Sequence, residues 1–394
     1  MYNENMKRLK IALFIDTYFP MVDGVVVVVD NYAKRLAKFA DVTVFCPKPN
    51  VAFDDNVYNY VVKRCKSLGV QHSDYPVGFP LFDRKFRKSL FLEDFDIVHV
   101  HSPFFVSRLG VKYAKKKNIP VVATLHSQYK QDFKMATKSN FLASILLKFA
   151  MKPFNKCDEC WAVNGAIKDL YVEEYGVKSP CIVQTNATDM CLKDKLVAFN
   201  VIKDKYGIGE NERVMMFSGR LIELKNIFFI AEGLKELKAM GEKFRMIFVG
   251  SGPDENKLKQ KIKEYGLEDD VLFTGRVTDR DTLSYLYRRA DLFLFPSLYD
   301  ANSLVQIEAA SQKTPTIFMR GSKTSSTAVE DVSCILSEND VVDFAKKIKR
   351  ALNDNEYLEK ISEGAYKYLY ATWDEAVDKA YKRYVELIEE KLNK

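Results

Sequence analysis

Two carboxylates, Asp300 and Glu308, stand with seven residues between them in SLYDANSLVQIEAA (297–310). An apolar strand-like run, DLFLFPS (291–297), precedes them, and a helix-like run follows. Pro296 ends the strand, which leaves Asp300 in a loop where it can accept from ligand hydroxyls. A helix starting near Asn302 or Ser303 would leave the backbone amides of Ser303, Leu304 and Val305 as unpaired donors suited to a phosphate. Glu308 falls in the second turn and can accept from two neighbouring hydroxyls, as on a ribose. Acceptors for a sugar, donors for a phosphate and acceptors for a second sugar make up the needs of a nucleotide-sugar. The plain structural alternative is an N-terminal acid and a surface glutamate, common in any helix.

Other groups gather at the ends of strand-like runs, where open parallel sheets bind ligands. In FSGRLIELKN, Arg220 and Lys225 follow Gly219; Arg gives bidentate contact and Lys a point charge, a pairing suited to a diphosphate. Gly250 and Gly252 in FVGSGP could cradle a phosphate or simply make a turn, and Arg276 stands at the tip of FTGRV. Gly24 opens the run GVVVVVDNYAKRLAKF (24–39), where a glycine lets a backbone approach a ligand; an ordinary turn glycine is the plainer reading. His101 and His126 end strand-like runs and could bond a sugar hydroxyl or an oxyanion, whereas His99, alternating with His101, reads as a core histidine. The fourth histidine is His72.

Elements must hold these groups in place. Apolar runs at 10–16, 41–47, 96–102, 120–127 and 160–164 form one series of strands, and runs at 214–219, 245–252, 271–277, 291–297 and 315–319 form a second. Helix-like segments separate most of them; in 225–241, Ile227, Ile230, Leu234 and Leu237 recur at helical spacing. Strands alternating with helices imply parallel sheets covered on both faces. The strand rhythm pauses near 186–205, so the sequence predicts domains at 1–190 and 191–371, each an α/β doubly wound, Rossmann-like fold. Residues 24–39 read as a helix after Gly24 despite five valines, and 372–394 as an amphipathic helix with Tyr381, Tyr384 and Ile388 on one stripe.

The chain has 394 residues, 47% apolar and 29% charged, a composition that fits two ordinary cores. The net charge of +7 is spread over the whole length and would favour an anionic partner without specifying one. No nucleic-acid motif is present, so no specific nucleic-acid partner is expected. Seven scattered cysteines, an odd number, do not form a disulfide framework, and Cys157 and Cys160 read as structural thiols. The start, MYNENMKRLKIALFID, lacks the form of a signal peptide, and no apolar segment approaches ~20 residues, so a cytoplasmic location is expected.

Taken together, the loop ending at Gly24, HVHSPF, TLHS, GR-x4-KN at 219–226, VGSGP, FTGRV and the paired acids resemble family 4 retaining glycosyltransferases of the GT-B fold, over essentially the full length. The resemblance implies two Rossmann-like domains facing a cleft, with the last helix crossing back to the N-terminal domain. It implies that Arg220 and Lys225 hold the donor diphosphate, Glu308 the ribose and the 303–305 backbone the phosphates. It also implies that Asp300 contacts the transferred sugar, with His126 near the reacting carbon and Gly24 near the diphosphate. The leaving phosphate would itself assist attack on the same face, with no metal and no cofactor beyond the nucleotide-sugar substrate, expected to be a UDP-sugar. Three positions depart from the pattern: Asp300 replaces a usual Glu, and Ser303 and Ala187 each replace a usual Gly. They motivate an alternative, a catalytically degraded partner subunit supporting another glycosyltransferase; intact Arg220, Lys225 and Glu308 argue against it.

The first domain is expected to take the acceptor, a lipid or glycan in cell-surface glycan or glycolipid synthesis. Residues 130–156 carry Phe141, Leu142, Ile145, Leu146 and Phe149 among lysines, and RKFRKSLF (84–91) is a second basic-aromatic cluster. Two readings stand open: a core helix with lysines on its wet face, the plainer one, or peripheral contact with an anionic membrane at the inner face of the cell membrane.

Overall fold

Each apolar run of the sequence becomes a strand because neighbouring strands and covering helices bury it on both faces. The computed structural model describes residues 8–69 and 76–393; the expectations for the first residues of the chain, and His72, lie outside them. By backbone packing the chain divides into two units, Met1–Asn186 with Trp373–Lys394, and Ala187–Thr372.

The first unit contains β1 (Lys10–Phe14), β2 (Asp41–Pro47), β3 (Val61–Cys65), β4 (Ser67–Leu68), β5 (Val77–Gly78), β6 (Ile97–Val100), β7 (Val121–Leu125), β8 (Glu159–Ala162) and β9 (Cys181–Val183). Seven of them form a parallel sheet in the order β3-β2-β1-β6-β7-β8-β9, while β4 and β5 pair by themselves. The second unit contains β10 (Val214–Ser218), β11 (Arg245–Val249), β12 (Val271–Gly275), β13 (Leu292–Phe295), β14 (Thr316–Met319) and β15 (Ile335–Ser337), in the order β12-β11-β10-β13-β14-β15. In each sheet the order reverses direction once, between β1 and β6 and between β10 and β13, which is the doubly wound pattern with a crevice at the reversal. Among the described residues, no helix is long and apolar enough to cross a membrane.

The valine run folds as a helix, Gly24–Leu36. Asp23 Oδ1 accepts from the amides of Val25 and Val26, both at 2.9 Å, and Val26, Val29, Ala33 and Leu36 are buried. A capped first turn and an inward stripe together outweigh the strand preference of valine. Cys157 and Cys160 are buried, with their thiols turned to the carbonyls of Pro153 and Phe154.

The last helix, Trp373–Leu392, packs in the first unit. Its buried stripe is Trp373, Val377, Ala380, Tyr384 and Leu387; of the three residues expected on it, Tyr384 is central, and Tyr381 and Ile388 lie at its margins. Helical geometry turns the face by a few tens of degrees from the one read from spacing alone. Tyr384 stacks on Trp161 of β8 with centroids 5.3 Å apart, and its hydroxyl bonds His99 Nδ1 of β6 at 2.6 Å. Beside them, the Arg383 guanidinium meets Glu159, 3% exposed, at 2.8–3.2 Å, while Trp161 Nε1 donates to the same carboxylate at 2.7 Å. A buried carboxylate is tolerated only when its charge and lone pairs are met in this way.

From His99 the network continues inward. His99 Nε2 meets Thr124 Oγ1 at 2.7 Å, its ring lies 4.0 Å from that of His101, and His101 Nδ1 meets His126 Nε2 at 3.1 Å. Burial holds all three histidines neutral: His99 and His101 fall well below the ordinary value, and His126 falls to about 3.

Two outcomes are expected. Both tryptophans of the chain, Trp161 and Trp373, lie in the first unit, so tryptophan fluorescence reports its unfolding alone. Arg383→Ala strands the Glu159 carboxylate and should cost roughly 2–4 kcal/mol in urea unfolding followed this way, the guanidinium being partly exposed. Acid should weaken the same unit. The folded-state pKa values are depressed, so below about pH 6.5 the unfolded chain binds more protons, and stability falls as pH drops, by up to roughly 4 kcal/mol over one pH unit for three histidines. Burial of Asp16, whose pKa is raised, acts in the opposite sense and trims that slope. His101→Gln should flatten the slope; an acid-independent midpoint between about pH 6.5 and 5.5 would refute it.

Candidate functional site

In the second unit the candidate groups gather where β10 and β13 end. β10 runs out into Gly219 and the exposed Arg220, then into a short turn, Glu223–Lys225. Asn226 adopts a left-handed conformation, φ 60°, which starts the helix Ile227–Ala239, and its side-chain amide donates to Pro296 O at 3.1 Å. That bond ties the β10 loop to the β13 loop. Across the same gap the Lys225 ammonium pairs with Asp300, the two side chains being 17% and 12% exposed. The residues read from sequence as a phosphate cation and a sugar acceptor therefore hold each other.

The helix Leu304–Ser311 follows, with Ser303 as its N-cap. No side chain caps its first turn and no acid lies within it, whereas Asp23, Asp83, Ser139, Asn164, Asp194, Asp279, Asp340 and Asp354 cap other helices. Ser303, Leu304 and Val305 are only partly buried. An open, uncapped turn with a cation beside it is suited to an anion.

Glu308 is 7% exposed and both of its oxygens are engaged. Arg280 approaches Oε1 at 2.9 Å, and Tyr287 donates to Oε2 at 3.2 Å. Arg280 opens the helix Arg280–Arg289, capped by Asp279, so the loop after β12 delivers it. Sequence reading missed Arg280 and Tyr287; the capped helix start after FTGRV was the available signal. Arg276, the residue singled out in that loop, is exposed.

The glycines act through packing. Gly250 has φ 128°, and a Cβ there would lie 1.9 Å from Gly219 O. Its amide donates to Gly275 O at 2.9 Å and that of Gly219 donates to Val249 O at 3.0 Å. The Gly250 N–H, read with Gly252 as a possible phosphate cradle, is thus spent on a neighbouring strand end, and the glycine at 250 is needed because two backbones cross there. Gly24 differs: a Cβ there would meet open space. The amides that follow it are taken by Asp23, so a carboxylate already sits where an anion was expected.

In the first unit, His126 ends β7 and is partly exposed, with His101 behind it. His101 Nε2 is buried without a partner. An orphaned buried N–H is rarer than an orphaned acceptor, so His101 carries its proton on Nδ1 and donates to His126 Nε2. His126 is then left with Nδ1–H, a neutral donor. The link between these two residues was not legible in sequence, because it depends on the register of β6 beside β7.

Comparison with known proteins falls on the same two halves. Residues 22–190 match the family model described as Glycosyltransferase Family 4, and residues 199–368 match that of Glycosyl transferases group 1. The chain is similar to alpha-monoglucosyldiacylglycerol synthase of Streptococcus pneumoniae, 24% identical over 78% of this chain and 70% of that protein. It is likewise 24% identical to the Acholeplasma laidlawii protein of that name, over 91% and 92%. In fold it resembles HepE of Anabaena, solved in complex with UDP-glucose, with a TM-score of 0.75 and 15% identity over 95% of this chain and all of that one, 100%. With two doubly wound parallel sheets, and a family model on each half, the chain belongs to the group 1 glycosyltransferases of the GT-B fold.

Proposed function

We propose that this glycosyltransferase is a retaining enzyme that moves a hexosyl group from a UDP-sugar to a lipid or glycan acceptor in glycolipid or cell-surface glycan synthesis. The observation that carries the reading is the uncapped turn at 303–305 beside the Lys225–Asp300 pair, with Glu308 buried one turn further on. The relatives named as glucosyldiacylglycerol synthases support the acceptor class, and the neighbour solved with UDP-glucose supports the donor.

On this reading the second unit binds the donor. The diphosphate takes the amides of Ser303, Leu304 and Val305 together with Arg220 and Lys225, and no metal is invoked. Lys225 exchanges one anion, Asp300, for another, and Asp300 is released toward the sugar hydroxyls. Glu308 receives the ribose, held in place by Arg280 and Tyr287. As the glycosidic bond breaks, charge grows on the leaving phosphate, where fixed cations and amides stabilise it more than they do the ground state. A phosphate oxygen takes the proton of the incoming hydroxyl, which attacks from the same face. His126, with its pKa depressed to about 3, is neutral at pH 7 and serves as a hydrogen-bond donor rather than a proton shuttle.

Thermal unfolding with UDP, GDP and ADP tests the donor site. A ligand that binds only the folded chain, at ~100 times its dissociation constant, adds ~2.7 kcal/mol. UDP should raise the midpoint selectively, and Lys225→Ala or Glu308→Ala should remove the rise; no rise with any nucleotide would sink the reading. Loss of Lys225 should lower kcat/KM by about 10²–10³. His126→Ala should lower transfer while leaving the UDP-induced rise intact, since it acts on the reacting sugar and not on the nucleotide.

A further inference from the structure

The helix Asn140–Phe154 is apolar over more of its circumference than its packing uses. Ala143, Leu147, Ala150, Met151 and Phe154 are buried in the first unit. Phe141, Leu142, Ile145, Leu146 and Phe149 occupy the adjoining arc and are 74, 48, 50, 39 and 47% exposed. The core-helix reading of these five residues is therefore overturned. At 3.6 residues per turn they span about 140°, with Lys148 and Lys152 along one border. A helix apolar all round belongs in a core or in lipid, and half of this one lies in neither.

The second basic-aromatic stretch meets the same surface. The helix Arg84–Phe91 follows a turn, Pro80–Phe82, in which Leu81 and Phe82 are 50 and 81% exposed. Ring contacts join the two regions across the start of the helix Phe105–Lys117. Phe79 stacks on Phe105 at 6.1 Å, Phe104 meets Phe133 at 6.5 Å, and the Arg108 guanidinium lies 3.7 Å from the Phe149 ring centre. Segments more than forty residues apart in the chain thus form one face. Residues 133–157 hold five lysines and no acid, and residues 84–91 hold four cations and no acid.

We propose that this face docks the first unit on an anionic lipid bilayer. Phe82, Phe141, Leu142, Ile145 and Phe149 enter the boundary between headgroups and acyl chains, and the lysines and arginines sit at headgroup level. Charge selects this occupant over a second copy of the chain. A two-fold interface would set this basic face against itself, with no acid in either stretch to pair. The proposal rests on the preceding section only for the idea that a lipid acceptor would be reached there; docking itself is read without activity.

The test is co-sedimentation of the full chain with phosphatidylcholine vesicles, with and without phosphatidylglycerol. The chain should bind the phosphatidylglycerol vesicles, and salt should weaken that binding. Each lysine removed should cost about fivefold and Lys148→Ala with Lys152→Ala about thirtyfold. Phe141→Ser with Ile145→Ser should abolish binding while tryptophan-monitored unfolding and the UDP-induced rise stay unchanged. Failure of the native chain to bind, or equal binding by the serine variant, would overturn the proposal. So would a dimer in vesicle-free solution that the serine variant dissolves, since the face would then belong to a second copy. Vesicle binding without any nucleotide response would uphold the proposal and remove the donor reading alone.

Discussion

The carboxylate of Glu159 is the constraint around which the first unit is arranged. At 3% exposure it cannot stay charged without a partner, and that partner, Arg383, comes from the last helix of the chain. Once Arg383 is in place, Tyr384 is set against Trp161 and its hydroxyl against His99. His99 lies on His101, and His101 bonds His126. A single ion pair thereby fixes the orientation of a side chain several residues removed from it, through rings too closely packed to turn independently.

The second unit is organised by exchangeable pairs. Lys225 holds Asp300 and Arg280 holds Glu308, so two of the charges that a nucleotide-sugar would meet are each already positioned by one of opposite sign. Such pairing keeps side chains from collapsing onto one another or wandering into solvent, which lowers the ordering cost when a ligand takes one partner's place. The crossed backbones at Gly219 and Gly250 serve the same end, since they allow these loops little room to rearrange.

Much of this was legible in sequence. Ten strands were visible because burial makes most of them uninterrupted apolar runs, and the order in which helices separate them dictates a parallel sheet. The edge strands β3, β9 and β15 were missed: β3 is only partly covered and carries Lys63 and Arg64, and β9 and β15 are three residues long. Lys225, Asp300 and Glu308 were singled out by their place after strands, and the fold brings the first two together. The partners of Glu308 were not, because Arg280 reaches it across a loop whose path no local pattern records. The crossing of backbones at Gly250 was hidden for a related reason: a glycine in a turn looks the same whether a ligand or another backbone occupies the space above it. Exposure on the helix Asn140–Phe154 was likewise invisible, since periodicity shows that two faces are apolar and not which one the fold covers.

The first unit is assembled from two stretches of chain, Met1–Asn186 and Trp373–Lys394, whereas the second is continuous from Ala187 to Thr372. During synthesis on the ribosome the second unit can therefore close as soon as its own residues emerge, ahead of the one that precedes it. The first 186 residues must wait for the final helix, with the Glu159 carboxylate unpaired and the Trp161 face bare. Over that interval the nascent chain offers chaperones a sheet whose strands are all made but whose Trp161 face is uncovered, and residues 373–394, made after the second unit, supply the cover.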